Sequence, residues 1–271
     1  MNRFTSIMLW IFSSAVCAFL IVPVLVVIPL SFNPEPYFSF TRRMLTLDPD
    51  GWSLRWYRDI ALNPQWRLAF RNSLLIAAVV TPAATALGTL AAFGLRRLPS
   101  RQKGAVVMIL SSPLIVPIII FATGSYLFLA PLGLTQSFAG IILAHTALAS
   151  PYVVVTVGGA FANFDERLLL AASILGSNPI GAFWKVTLPL MAPGILAGAL
   201  FAFITSFDEA VVALFLAGYD QRTVPLQMWS GVRDQLSPAV LAAATLLIAV
   251  VALVMVAIAL VRGTLSPGRA P

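Results

Sequence analysis

The sequence predicts an all-α polytopic membrane protein with six transmembrane helices, and three observations carry that prediction. Of its 271 residues, 59% are hydrophobic and only 10% are charged, whereas a soluble domain carries about 25% charged residues. So few charges cannot cover a water-facing surface, and most of the exterior must meet lipid. Six segments are apolar over the length a helix needs to cross the hydrocarbon, about 20 residues. Finally, the Lys and Arg residues are scattered over the loops between those segments.

The expected spans are Ser6–Phe32, Leu68–Leu95, Ala105–Pro131, Ser137–Phe161, Leu190–Ala217 and Ala239–Val261. In the first, the apolar run from Ile7 to Leu30 is longer than a signal-peptide core and has no clear small-residue cleavage site, so it is expected to be retained. Pro23, Pro82, Pro113 and Pro117 lie inside the runs and are tolerated where neighbouring helices satisfy the freed carbonyls. The organisation that follows is a first span (1–32), a long loop (33–67), a five-helix core (68–261) containing a patterned loop (162–189), and a tail (262–271).

An even number of spans puts both termini on one side. The segment Arg96 to Lys103 has four positive residues and no acid, while the short loop Leu132 to Gln136 has no charge. The basic loop is therefore expected in the cytoplasm, with both termini. The loop 33–67 then lies outside and is rich in Trp52, Trp56, Tyr57 and Trp66. Within it, Ser53–Leu62 reads as a short helix with Trp56, Tyr57 and Ile60 on one side, suited to the membrane interface.

The loop 162–189 is too polar to span but is patterned. Asp165 is a good N-cap, with Glu166 in the first turn. The helix through Leu168–Ala172 is expected to stop at Gly176. Asn178 followed by Pro179 starts a second short helix, which carries Phe183, Trp184 and Val186 until Pro189. The result is a helix–turn–helix on the cytoplasmic face.

The formal charge of +7 marks basic loops beside anionic lipid. With no dense basic tract interleaved with aromatics, it is no footprint for nucleic acid. Cys17 and His145 are each the sole residue of their kind, so neither a disulfide nor a Cys/His zinc site can form within the chain. No cofactor is expected.

Leu170-Ala171-Ala172-Ser173-Ile174-Leu175-Gly176, nine residues, then Val186-Thr187-Leu188-Pro189 resembles the EAA loop of bacterial ABC importer permeases. That pattern is Glu-Ala-Ala, three residues, Gly, nine residues, then Ile-x-Leu-Pro. Leu170 stands in place of the family Glu, and Glu166, one turn earlier, is a candidate substitute. Further stretches resemble the spermidine/putrescine branch: Gly51, Ser53, Trp56 and Tyr57; Arg71-Asn72-Ser73-Leu74; His145 with Pro151-Tyr152; Ser206-Phe207-Asp208-Glu209; Phe215; Thr223-Val224-Pro225-Leu226; Ser237-Pro238; and Ala242-Ala243. The resemblance covers roughly Gly51 to Leu260.

It implies a type I ABC importer permease fold and three protein partners: a cytoplasmic ATPase dimer, a second homologous permease subunit and a periplasmic substrate-binding protein. A heterodimer is the family habit. Glu166, Leu170, Ala171, Ala172, Gly176, Phe183, Leu188 and Pro189 are then the ATPase-contacting residues. Small residues admit close backbone approach, while Leu168, Leu175 and Phe183 give an apolar face to bury. No Gly-rich loop ending in Gly-Lys-Ser/Thr is present, so this chain is not the nucleotide-binding subunit and not itself an enzyme.

The substrate pathway is assigned to Asp208, Glu209, Phe207 and Trp229. An intramembrane acid costs about 2.5–3.5 kcal/mol on insertion scales and therefore usually faces a cavity. Asp208 lies 18 residues beyond Leu190, about 27 Å along a helix, so a break is expected near Ser206–Glu209, with Ala210–Ala217 partly re-entrant. A cationic solute such as a polyamine fits these acids, with Trp229 or Phe207 adding cation–π contacts. The alternative is structural: one acid caps the second helix piece while the other pairs with Arg222 or Arg233. His145 is expected to bond a carbonyl between helices, and Asn72 to cap a helix. Relatives of this branch also carry iron, thiamine, phosphonates and amino-acid derivatives. An ion-driven secondary transporter would show an internal repeat, and none is evident. An intramembrane enzyme needs a convergent catalytic set, which one His, one Cys and one acid pair do not supply.

Overall fold

The computed structural model describes residues 3–162, 164–234 and 237–265. Among them the secondary structure is helical, with no strand. In chain order the helices are α1 (Arg3–Leu30), α2 (Arg42–Leu45), α3 (Arg55–Leu62), α4 (Pro64–Arg97), α5 (Ser100–Ile115), α6 (Ile118–Leu129), α7 (Phe138–Ala162), α8 (Arg167–Ile174), α9 (Pro179–Ala182), α10 (Leu188–Asp208), α11 (Val211–Leu216), α12 (Val224–Asp234) and α13 (Ala239–Leu265). A 3₁₀ turn occupies Pro49–Gly51 and a π-helical turn Phe183–Thr187.

The chain forms two compact units, Met1–Arg67 with Met228–Val250, and Leu68–Gln227 with Val251–Pro271. The stretch expected to form a single five-helix core, 68–261, is thus divided between them. Of the expected tail, the part up to Leu265 continues α13, and 266–271 lies outside the described residues.

Among the described residues five helices are long and apolar enough to cross a membrane, and a sixth crossing is supplied if α5 and α6 count as one. That pair occupies the expected span Ala105–Pro131 as a broken one, the two helices meeting at a bend of 101°. Pro117 lacks an N–H and drives the preceding residue out of helical geometry. Val116 is accordingly extended at φ −68°, ψ 130°.

In the first unit, α1 is exposed along most of its length, including Trp10, Phe12 and Phe19. Such a helix has no reason to be stable in water, and lipid is its natural surround. The expected interfacial helix forms as α3, with its aromatic side turned onto the end of α1. Trp56 Nε1 donates to the Asn33 carbonyl (2.7 Å) and Tyr57 Oη lies 2.6 Å from Ser31 Oγ.

The second unit is organised on α7, which is apolar on every face and contributes Ile141, Leu148, Val153 and Val157 to the core. Against it α4 presents a stripe at a spacing of four, Ile76, Val80, Ala84, Gly88 and Ala92, all buried. Close approach sets the choice of Gly88, since a Cβ there would stand 2.5 Å from Val153 Cβ and 2.8 Å from the Ser150 carbonyl oxygen. Packing of small residues is the usual basis of helix association where lipid removes the hydrophobic driving force.

Candidate functional site

Both features singled out in the sequence, the patterned loop and the acid pair, lie in the second unit. The loop folds as a two-helix foot. Its first helix, α8, begins at Arg167, one residue later than expected, and Asp165 Oδ1 accepts the Arg167 N–H (2.9 Å). It ends in a Schellman turn: the Gly176 N–H donates to the Ser173 carbonyl and the Ser177 N–H to the Ala172 carbonyl, both at 3.0 Å. That turn needs a left-handed residue, and Gly176 supplies it at φ +82°. Asn178 then caps α9, its Oδ1 accepting the Gly181 N–H at 2.7 Å, with Pro179 in the first turn.

The second helix does not stop at Pro189 as expected. It runs from Pro179 to Asp208 through the π-helical turn at Phe183–Thr187. Pro189 has no N–H to give the preceding turn, and the wider π register sits directly ahead of it. The foot is therefore continuous with a membrane helix.

The small residues Ala172 and Ala182 face inward, and Phe183 packs on Phe93 with ring centroids 5.2 Å apart. Leu168, Leu170, Ile174, Leu175, Ile180 and Trp184 are exposed, Leu175 to 86%. Ala171 and Pro189 are also exposed and Leu188 half-buried. Between the foot and the end of α4 is a cavity of about 620 Å³ whose lining includes Phe93, Arg96, Arg97, Glu166, Ser173 and Thr187.

Glu166 forms an ion pair with Arg96 of this same chain, 2.5 Å apart. This intrachain pair engages the carboxylate that was expected to replace the family Glu toward an ATPase. The Arg96 guanidinium also lies over the rings of Phe161 (4.6 Å) and Phe164 (5.2 Å). From the sequence Arg96 was legible only as a topological charge.

At the acid pair the helix breaks where expected. α10 ends at Asp208, and Glu209 is extended at φ −76°, ψ 114°. Glu209 Oε1 accepts the N–H groups of Val211 (2.7 Å) and Val212 (2.9 Å), so it caps α11. The expectation that the other acid pairs with Arg222 or Arg233 is not met. Asp208 is exposed and has no ion pair among the described residues, while Arg222 donates to Gln227 Oε1 at 3.0 Å. Phe207 is only 1% exposed and stacks on Phe203 at 5.1 Å, so its ring belongs to the core and offers no face to a solute. Trp229 is exposed to 58%.

His145 is fully buried, and its Nδ1 lies 3.2 Å from Ser206 Oγ, so it contacts a hydroxyl where a carbonyl was expected. Asn72 is not a helix cap, because α4 begins eight residues earlier with Asn63 Oδ1 accepting the Gln65 N–H (2.9 Å). Its carboxamide instead donates to the carbonyls of Asp220 (2.7 Å) and Arg222 (2.9 Å), and Ser73 Oγ accepts the Val224 N–H (2.9 Å). Among the described residues no group of His, Cys, Asp and Glu could hold a metal ion.

Residues 84–265, which include the whole foot and the acid break, match the profile of the family described as "Binding-protein-dependent transport system inner membrane component". The chain belongs to that family. It is a multi-pass permease subunit of an ABC importer. The permease is 32% identical over 237 residues to the spermidine/putrescine transport system permease protein PotC of Haemophilus influenzae, covering 88% of this chain and 89% of that one. It is 33% identical over 245 residues to the putrescine transport system permease protein PotI of Escherichia coli, covering 87% and 84%. Its fold matches a chain of a bacterial ABC transporter involved in the import of the acidic polysaccharide alginate, with a TM-score of 0.66 at 14% identity and 96% of each chain covered.

Proposed function

We propose that this permease forms half of a translocation pathway for a polyamine and that its two-helix foot docks into a cytoplasmic ATPase. Docking rests on one observation: a compact, capped foot presents Leu170, Ile174, Leu175, Ile180 and Trp184 to solvent. So many exposed large apolar side chains on one short loop call for a partner. ATP is hydrolysed in that partner, and the closing of its two halves rocks the membrane helices as rigid bodies. A second homologous permease and a periplasmic binding protein complete the assembly. The basic residues Arg96, Arg97, Arg101 and Lys103 orient the foot and both termini to the cytoplasm.

The polyamine assignment is supported by the names of the two permeases to which the chain is 32% and 33% identical, and by Asp208. With Glu209 engaged in capping α11, Asp208 is the acid free to attract a polycation. Phe207, buried against Phe203, is left out of the proposed contacts.

The test is reconstitution of the complex with its binding protein in proteoliposomes. Spermidine or putrescine should be accumulated in an ATP-dependent way, and Asp208→Asn should lower uptake while leaving assembly and ATP hydrolysis in place. Accumulation of neither amine removes the substrate assignment. Full uptake by Asp208→Asn removes its role in the pathway.

A further inference from the structure

Both ends of the foot bear on the same few residues of α4. At its start, Arg96 pairs with Glu166 and lies over Phe161 and Phe164. At its junction with α10, Phe183 packs edge-on against Phe93, which also meets Phe161 at 4.6 Å. Phe93 and Arg96 are three residues apart and so share one face of the helix. The foot cannot swing on either hinge without moving the end of α4.

The opposite end of α4 holds something else. Asn72, 2% exposed, and Ser73 together bind three backbone groups of the segment leading into α12: the carbonyls of Asp220 and Arg222 and the Val224 N–H. Asn72 and Arg96 are 24 residues apart, about 36 Å along one helix at 1.5 Å per residue. Between them the stripe from Ile76 to Ala92 is buried, so the helix is supported along its length.

We infer that α4 is a strut that ties the coupling foot to the 218–224 segment, with Arg96 and Phe93 as positioning residues at one end and Asn72 and Ser73 at the other. On the orientation proposed above, which this inference rests on, the segment lies at the outer mouth of the pathway. Foot displacement by the ATPase then loosens or tightens the outer segment through this one continuous helix.

Two readouts test the strut separately from the docking role. The first uses the permease alone in nanodiscs, with a spin label at Tyr219→Cys in a Cys17→Ser background. Arg96→Ala should mobilise the label as Ser73→Ala does, and the charge swap Arg96→Glu with Glu166→Arg should restore the wild-type spectrum. A label that ignores Arg96→Ala overturns the strut, whatever the ATPase does. The second uses the assembled complex and measures the factor by which binding protein stimulates ATP hydrolysis. Arg96→Ala and Asn72→Ala should each reduce that factor at least about fivefold, and the double variant should fall no further. Losses that multiply in the double variant mean two independent defects and also overturn it. Should Asn72→Ala fail to insert, Ser73→Ala takes its place. A label that responds as expected, with no ATPase retained by the wild-type foot, keeps the strut and removes the docking.

Discussion

Gly176 offers a quantitative test of the foot, because its two possible constraints separate cleanly. A Cβ at this position would meet nothing within 4 Å, so added bulk alone is harmless to the subunit. The constraint is the backbone, at φ +82°, where an L-residue pays about 1–2 kcal/mol. At RT of about 0.59 kcal/mol that lowers the population of the native turn relative to opened forms by roughly 5- to 30-fold. The Schellman bonds to Ser173 and Ala172 break together when the turn opens, and α8 loses its aim. Gly176→Ala should therefore reduce ATP-dependent uptake several-fold with normal insertion. Gly176→Asn, which tolerates the left-handed region, should keep more of it. Gly176→Asp adds a charge beside the exposed apolar surface and should abolish transport while insertion is intact. The assay is initial-rate uptake in proteoliposomes normalised to inserted protein. Equal rates for glycine, alanine and asparagine refute the conformational argument, and unchanged uptake by the aspartate variant refutes docking at this site.

Three further outcomes follow from the same geometry. Leu175→Ala removes a side chain whose burial in a partner contributes about 1.5–3 kcal/mol, so ATPase affinity measured by titration into detergent-solubilised permease should drop at least about tenfold. Glu209→Ala removes the side-chain cap of α11 and should destabilise the unit by about 0.5–2 kcal/mol, whereas Glu209→Gln keeps an acceptor oxygen and should fall well short of that in thermal unfolding. Gly88→Leu forces α4 away from Val153 and the Ser150 carbonyl, and overpacking of this kind costs about 1–3 kcal/mol or more. A lowered melting temperature with dispersed, monomeric protein is the expected result.

The fold class and the foot were legible for related reasons. Apolar run length reports membrane crossing because unsatisfied backbone groups are excluded from hydrocarbon. Caps and turns are set by bonds between residues two to five apart, so Asp165, Gly176, Asn178 and the break at Glu209 could be placed from local chemistry. Local signals misled where they met a long helix. Asn72 looked like a cap because the apolar run starts near it, yet α4 starts at Pro64, and Pro189 looked like a terminator although a π-helical turn carries the helix through it. Phe207 stood next to two acids in sequence but turned into the core.

By itself, then, the sequence determined that the chain lives in a membrane, that a helix breaks at the acid pair, and that a capped two-helix foot sits between two membrane helices. Only the tertiary structure decided what those elements touch. Arg96 meets Glu166 across 70 positions and Asn72 meets Asp220 across 148. The reason is physical: a helix such as α7 is apolar on every side, so its pattern cannot say which face meets lipid and which meets protein. Close packing around small residues such as Gly88 makes that choice, and the polar contacts at the helix ends follow from it.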